Sequence, residues 1–285
     1  MSGIDNSMPL LPSTEEEISQ ENYSFLQQYV YNSSGIVLDD SKQYLIEARL
    51  LPIVRVEKLK TINDLCAILR TTCPGALAGD VIDAMTTNET LFFRDAVPFK
   101  ALRQTILPAL IAERSALRRL SFWSAAASSG QEAHTLAMML LEMGLADWNI
   151  DLLGTDISGK MVARARAGRY LQIEVNRGLP AQQLVKYFTR DGQEWQIKDE
   201  VRRMVSFERF DLRQSMRSFG PFDIVLCRNV LIYFDVPTKQ QILNEIAGTL
   251  HSRGYLLLGA AETTMNITEA FDRCSIDGAT FYQKH

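Results

Sequence analysis

The chain is short of the side chains that most often carry chemistry. Among 285 residues there are three histidines and four cysteines. His134, His251 and His285 are scattered and build no histidine metal site, so no metal is expected. Cys66, Cys73, Cys227 and Cys274 form no CxxC pair and no zinc spacing; two lie in apolar runs, as buried free thiols of a reducing compartment do. A basic excess is also missing. The 30 Lys and Arg stand against 34 Asp and Glu, a net charge of -4, which argues against gripping nucleic acid through an overall positive field. No apolar stretch has the length of a membrane span. The start, MSGIDNSMPLLPSTEEE, lacks the basic opening and apolar core of a signal peptide. A cytoplasmic protein without membrane insertion is the expectation. No GxGxxG loop, internal repeat or low-complexity tract occurs.

What is present is ordinary globular composition, 46% hydrophobic and 22% charged, arranged in two halves of different periodicity. Residues 1–14 read as a flexible N-terminus. Over 15–115, apolar residues recur three and four apart in STEEEISQENYSFLQQYVY, SKQYLIEARLLPIVRVEKL, TINDLCAILRTT and PFKALRQTILPALIAER, the pattern of an all-α domain. The one strand-like run there is GIVL at Gly35–Leu38. Over 116–285, short apolar runs (RLSFWSAA, NIDLLGTDI, MVSFERFDL, FDIVLC, GYLLLGAAE) alternate with helical ones. Such alternation predicts βαβ units and an α/β fold with a mostly parallel sheet. The tail FDRCSIDGATFYQKH, with its DG, predicts an antiparallel hairpin on the sheet edge. Arg169–Arg203 interrupts the alternation, and a small inserted subdomain is expected over 169–204.

Ligand chemistry concentrates at strand ends. In FWSAAASSGQE a strand gives way to tiny residues and then a helix. Ligands of doubly wound sheets lie beyond the carboxyl ends of the strands, where strand order switches, and tiny residues let a ligand approach the backbone. Without a phosphate-cradling glycine pattern, the loop suits a nucleoside lacking a pyrophosphate. Glu132, in the first helical turn, is either a helix-dipole partner or a counter-charge for a cationic ligand group. The second strand ends GTDIS, where Asp156 either caps the next helix or accepts ribose hydroxyls. RFDLRQ ends the third, offering Asp211 to an adenine amino group and Leu212 to its face. In MTTNETLFFRD two adjacent aromatics sit among Asn88, Thr90 and Arg94, either as core beside surface charge or as a lid over a cleft. FDIVLCRNVLIYF poses a sharper question: a buried strand explains its apolar residues but not the Arg-Asn pair or the closing Tyr233.

TTNETLFFRD, FWSAAASSGQE, GTDIS and CRNVLIYFD, with LLLGAAETT near the C-terminus, together resemble the chemotaxis receptor glutamate methyltransferases, the CheR family, and the resemblance runs from about Ile18 to Lys284. It implies a Rossmann-like class I methyltransferase sheet with an N-terminal helical domain and a small inserted β subdomain. It implies S-adenosylmethionine as cofactor, S-adenosylhomocysteine as product, and chemoreceptors as partners. The implied reaction is O-methylation of specific glutamate side chains on the receptors' cytoplasmic helices. Carried over by motif, Asn88, Thr90, Arg94, Glu132, Asp156, Asp211, Leu212, Asn229 and Val230 are cofactor contacts, and Arg94 and Tyr233 flank the transferred methyl group. The family also uses basic residues of its second helix against the receptor, which here implies Lys42, Arg49 and Arg55.

The chemistry agrees with the residues that are missing. A glutamate carboxylate, with a reference pKa of about 4.3, is already ionised at neutral pH and needs no general base. Enzymes that methylate amines or nucleic acids often carry an Asn/Asp-Pro-Pro-aromatic stretch where this chain has NVLIYF, so the absent prolines argue against such an acceptor. A non-catalytic S-adenosylmethionine-binding scaffold would have no use for Arg94 and Tyr233. Two departures from the family pattern stand out. Ala133 and His134 replace a common Pro-Tyr, with His134 facing either core or cleft. YFTRDGQEWQIK, with the single Gly192, is shorter than the glycine-rich loop by which some members bind a receptor tether, so a tether-independent enzyme is expected.

Overall fold

The computed structural model describes residues 17–71 and 75–285. The segment 1–14 expected to be flexible, and Cys73, lie outside the described residues. The chain forms two compact units: one holds the chain up to Val30 together with Leu38–Met85, the other Tyr31–Val37 and Thr86–His285.

The first unit is helical. Helix α1 (Gln20–Ser34) begins in it, and a short 3-10 turn (Asp40–Lys42) leads into α2 (Gln43–Val56), followed by α3 (Ile62–Thr71) and α4 (Ala76–Met85). Ile46, Leu50 and Val54 recur every four residues along α2 and are buried, and α2 packs on both α3 and α4. Pro52 stands inside α2, which runs on to Val56. Gly35–Leu38 is not a strand. Its Val37 N–H donates to the Tyr233 carbonyl at 2.9 Å, a single bond rather than a ladder.

The second unit opens with α5 (Ala96–Ala101), a π turn (Leu102–Ile106) and α6 (Leu107–Arg114). The sequence boundary near 115 grouped these helices with the preceding ones. Their buried Phe99, Leu102, Ile106, Leu107 and Leu110 instead share one core with Leu120 and Phe122, because an amphipathic helix goes with whatever covers its apolar face. The chain continues as β1 (Arg119–Ser124), α7 (Gln131–Glu142), β2 (Asn149–Asp156) and α8 (Gly159–Ala167). There follow β3 (Arg169–Leu171), α9 (Gln172–Val175), α10 (Ala181–Tyr187), β4 (Phe188–Asp191), β5 (Glu194–Ile197) and α11 (Asp199–Arg202). It closes with β6 (Val205–Arg209), β7 (Phe222–Cys227), α12 (Val236–Thr249), β8 (Leu250–Leu258), β9 (Phe271–Ile276) and β10 (Ala279–Lys284).

The main sheet has seven strands in the order β6-β2-β1-β7-β8-β10-β9. The first five are mutually parallel; β10 pairs antiparallel with β8 and with β9. Asp277 and Gly278 turn the β9–β10 hairpin with φ of 49° and 81°, the left-handed pair a two-residue turn demands. A separate antiparallel sheet, β3-β5-β4, forms the small inserted subdomain. Every residue of β7 is buried, as expected of a central parallel strand covered on both faces. From β1 the chain adds β2 and β6 on one side, then returns to place β7 on the other. The carboxyl ends of β1 and β7 are therefore the switch point.

Candidate active site

A cleft opens at that switch point, within the second unit. Asn88, Thr90, Arg94, Glu132, Asp156, Asp211, Leu212, Asn229, Val230 and Tyr233 all line it, brought in from the loops after β1, β2, β6 and β7 and from the segment before α5. Ala125 and Ala126 leave its floor open beside the β1 end, and Phe210 and Leu212 give it an apolar wall.

Asp156 joins two of these loops. Its Oδ2 accepts the Ser128 N–H at 2.8 Å and its Oδ1 the Ser158 N–H at 2.9 Å, with the side chain buried. It does not cap the following helix. Ser158 does, accepting the Met161 N–H at 3.1 Å. Asp211 is held from the other side by Arg213, whose Nη2 lies 2.6 Å from Oδ2.

Glu132 is spoken for within the protein. Ser124 Oγ donates to its Oε1 at 2.8 Å and Arg228 Nη1 to its Oε2 at 2.9 Å. The Arg228 side chain is only 2% exposed, and its Nη2 also donates to the Asp95 carboxylate at 2.7 Å and to the Arg94 carbonyl at 3.0 Å. Arg228 is the Arg that the run FDIVLCRNVLIYF left unexplained. It clamps the segment carrying Arg94 to the end of β7.

The segment 88–95 is pinned as a wall of the cleft. Ser128 Oγ donates to the Asn88 carbonyl at 2.8 Å, and the Phe93 N–H to Thr135 Oγ1 at 3.2 Å. Phe92 is fully buried and packs edge-on to Tyr170 and Phe188 of the inserted subdomain, with ring centroids 5.0 and 5.6 Å apart. Phe93 and Asp95 take φ of 50° and 57°, conformations a non-glycine residue holds only when its surroundings impose them. Arg94 Nη1 donates to the Glu89 carbonyl at 3.0 Å, keeping the guanidinium on the rim.

Sequence reasoning missed Arg228, Asp95 and Glu262. The Glu262 carboxylate accepts the backbone N–H groups of Asn229, Val230 and Leu231 at 2.7, 2.9 and 2.7 Å. Its only signal in the sequence was its place in LLLGAAETT, where no chemistry called for an acid. His134 lies in the core. Its Nδ1 is 2.8 Å from the Tyr170 hydroxyl, which donates to the Ser129 carbonyl, so the imidazole is the donor to Tyr170. Burial, and secondarily Arg202, push its pKa down to about 3, so it is neutral. Lys42, Arg49 and Arg55 belong to the other unit. Lys42 sits in the 3-10 turn rather than in α2 and pairs with Asp39 at 3.0 Å, while Arg49 Nη1 donates to the Met85 carbonyl at 2.6 Å.

Two family descriptions match the chain: "CheR methyltransferase, SAM binding domain" over residues 88–279 and "CheR methyltransferase, all-alpha domain" over 21–86. This chain belongs to the CheR methyltransferase family. Chemotaxis protein methyltransferase 1 of Vibrio cholerae is 41% identical over 266 residues, 90% of this chain and 95% of that one. Chemotaxis protein methyltransferase 1 of Pseudomonas aeruginosa is 38% identical over 268 residues, covering 92% and 97%. Chemotaxis protein methyltransferase Cher2 of Pseudomonas putida is 37% identical over 274 residues, covering 93% and 99%.

S-adenosylmethionine is the cofactor of this CheR domain, and the cleft suits it. Asp156, a buried carboxylate at the end of β2, lines the cleft where a ribose diol would need acceptors. Phe210 and Leu212 supply an apolar face for a base. Two buried carboxylates, Glu132 and Asp156, line the cleft and would oppose the charge of a sulfonium cation held in it. Among the described residues, no helix is long and apolar enough to cross a membrane, and no group of acids, histidines and cysteines could hold a metal ion.

Proposed function

We propose that the chain methylates glutamate side chains on the cytoplasmic helices of chemoreceptors, as a cytoplasmic protein-glutamate O-methyltransferase serving sensory adaptation. The observation that carries this is the absence of an available base. Four carboxylates line the cleft, Glu89, Glu132, Asp156 and Asp211, and each is already engaged by donors of the protein. Among the described residues no histidine lines it. An amine acceptor must lose a proton to become a nucleophile; a glutamate carboxylate is a nucleophile at neutral pH as it stands. The names of the relatives, chemotaxis protein methyltransferases, point to the same pathway.

The bound cofactor supplies a methyl group on a sulfonium centre. The chain's part is to bind, orient and exclude water. Arg94 and Tyr233 hold the acceptor carboxylate by charge-assisted hydrogen bonds that leave its negative charge in place. Asn88, Thr90, Glu132, Asp156, Asp211, Leu212, Asn229 and Val230 form the cofactor side. Lys42, Arg49 and Arg55 face the receptor, and the helical segment before the sheet acts as the receptor-side domain. The test is transfer of a labelled methyl group to a receptor fragment. Release of the label by base marks an ester. Label that survives base defeats the carboxylate acceptor, and binding of cofactor without any transfer favours a non-catalytic scaffold.

A further inference from the structure

We infer that Glu262 is the positioning residue of the acceptor-side turn, and that its carboxylate is the reason the turn carries no proline. The turn Asn229–Tyr233 leaves β7 with Asn229 in the left-handed region, φ 58°. That conformation aims the successive N–H groups of the turn inward, making a nest of the kind that binds anions. Here the nest is filled by the protein's own side chain. Glu262 Oε1 accepts Val230, Leu231 and Ile232 N–H at 2.9, 2.7 and 3.3 Å; Oε2 accepts Asn229 and Gly259 N–H, both at 2.7 Å. Five backbone donors thus converge on one carboxylate. Tyr233 follows within the same turn, its N–H on the Val230 carbonyl at 3.2 Å.

The bonding explains the sequence. A proline at 230 or 231 has no N–H and would strip Glu262 of a donor. Prolines at these positions and the Glu262 anchor are therefore mutually exclusive. The anchor fixes the turn that carries Tyr233, whose hydroxyl can donate to a carboxylate. The choice of acceptor, though not the anchoring, rests on the proposed transfer to glutamate. Gly259 completes the fit: a Cβ there would lie 2.7 Å from Glu262 Oε2 and 2.9 Å from the Asn229 nitrogen.

Two variants test this independently. Glu262→Gln keeps the volume but turns an NH2 group toward N–H donors. Gly259→Ala leaves the acid in place and wedges it away. Hydrogen exchange of the peptide spanning 229–233 is expected to be slow in the wild type and to accelerate at least tenfold in both variants, with the rest of the sheet unchanged. Methyl transfer should fall about a hundredfold, the cost of a small misplacement, with melting followed to confirm that each variant is folded. Tyr233→Phe added to either variant should cost less than about threefold more, because the loss already acts through Tyr233. Unchanged exchange in both variants, or losses that multiply with that of Tyr233→Phe, overturns the assignment. Should Glu262→Gln fail to fold, Gly259→Ala decides. A wild type that labels no receptor fragment counts against the acceptor alone, and the exchange measurement still decides the role of Glu262.

Discussion

Arg228 and Glu132 form a buried ion pair across the floor of the cleft, Nη1 to Oε2 at 2.9 Å, with the guanidinium 2% exposed. Taking either partner away leaves a largely buried charge without its counter-ion. Arg228→Ala should therefore destabilise the protein by about 3–5 kcal/mol, measured by urea unfolding. The double variant Arg228→Met with Glu132→Gln should recover most of that loss, because neither charge is then stranded. A single variant as stable as the wild type would mean that water or another cation reaches Glu132.

Arg94→Ala and Tyr233→Phe should each lower methyl transfer by about a hundredfold or more, the scale of one lost donor at a reacting centre. Cofactor affinity should fall much less, as calorimetry would show. Near-normal turnover in both variants would remove these residues from the acceptor site.

Asp156→Ala should act chiefly on the cofactor. Loss of hydrogen bonds to a charged group, about 1.5–3 kcal/mol, corresponds to roughly a ten- to hundredfold rise in the dissociation constant. Since Ser158 caps α8, the helix itself should survive, and far-ultraviolet circular dichroism should be unchanged. An unaltered dissociation constant would reduce Asp156 to the brace between the Ser128 and Ser158 loops.

His134 predicts a pH dependence of stability. Its folded pKa lies near 3, below the ordinary value of 6.5, chiefly through burial. Between those values the unfolded chain takes up a proton that the native state refuses. Stability should be full above pH 6.5 and fall as pH drops toward 3, on the order of 1.4 kcal/mol per pH unit from this group. His134→Phe should flatten that slope between pH 6 and 5 in urea titrations; an identical slope would exclude the residue as its source.

Receptor fragments with and without their C-terminal tails should be methylated at similar rates, since Gly192 is the lone glycine of a tight β4–β5 connection. A rate that collapses on tail removal would assign tether binding to the subdomain.

Much of this molecule could be read from local pattern. Periods of two and of four separate strands from helices because side-chain direction repeats at those intervals. The Asp277-Gly278 turn, the tiny residues after β1 and the acids at the ends of β2 and β6 are each governed by neighbours a few residues away. Position at a strand's carboxyl end accounts for Glu132, Asp156, Asp211, Leu212, Asn229, Val230 and Tyr233 at the cleft, whereas Asn88, Thr90 and Arg94 come from the segment before α5 and were reached through their motif. The limit of α-helical grouping near 115 was not legible, because the apolar face of α5 and α6 does not say which core will cover it. The capping of α8 by Ser158 rather than Asp156 was equally hidden, since adjacent residues both qualify locally.

The sequence by itself determined the alternation of elements and the residues at the strand ends, because those depend on spacing along the chain, and its motifs carried the resemblance to the family. Only the tertiary structure decided what holds them. Arg228 meets Glu132 and Asp95, and Glu262 meets the turn after β7, across separations at which sequence carries no geometric information. A buried charge declares its partner only once the fold has excluded the water that would otherwise take its place.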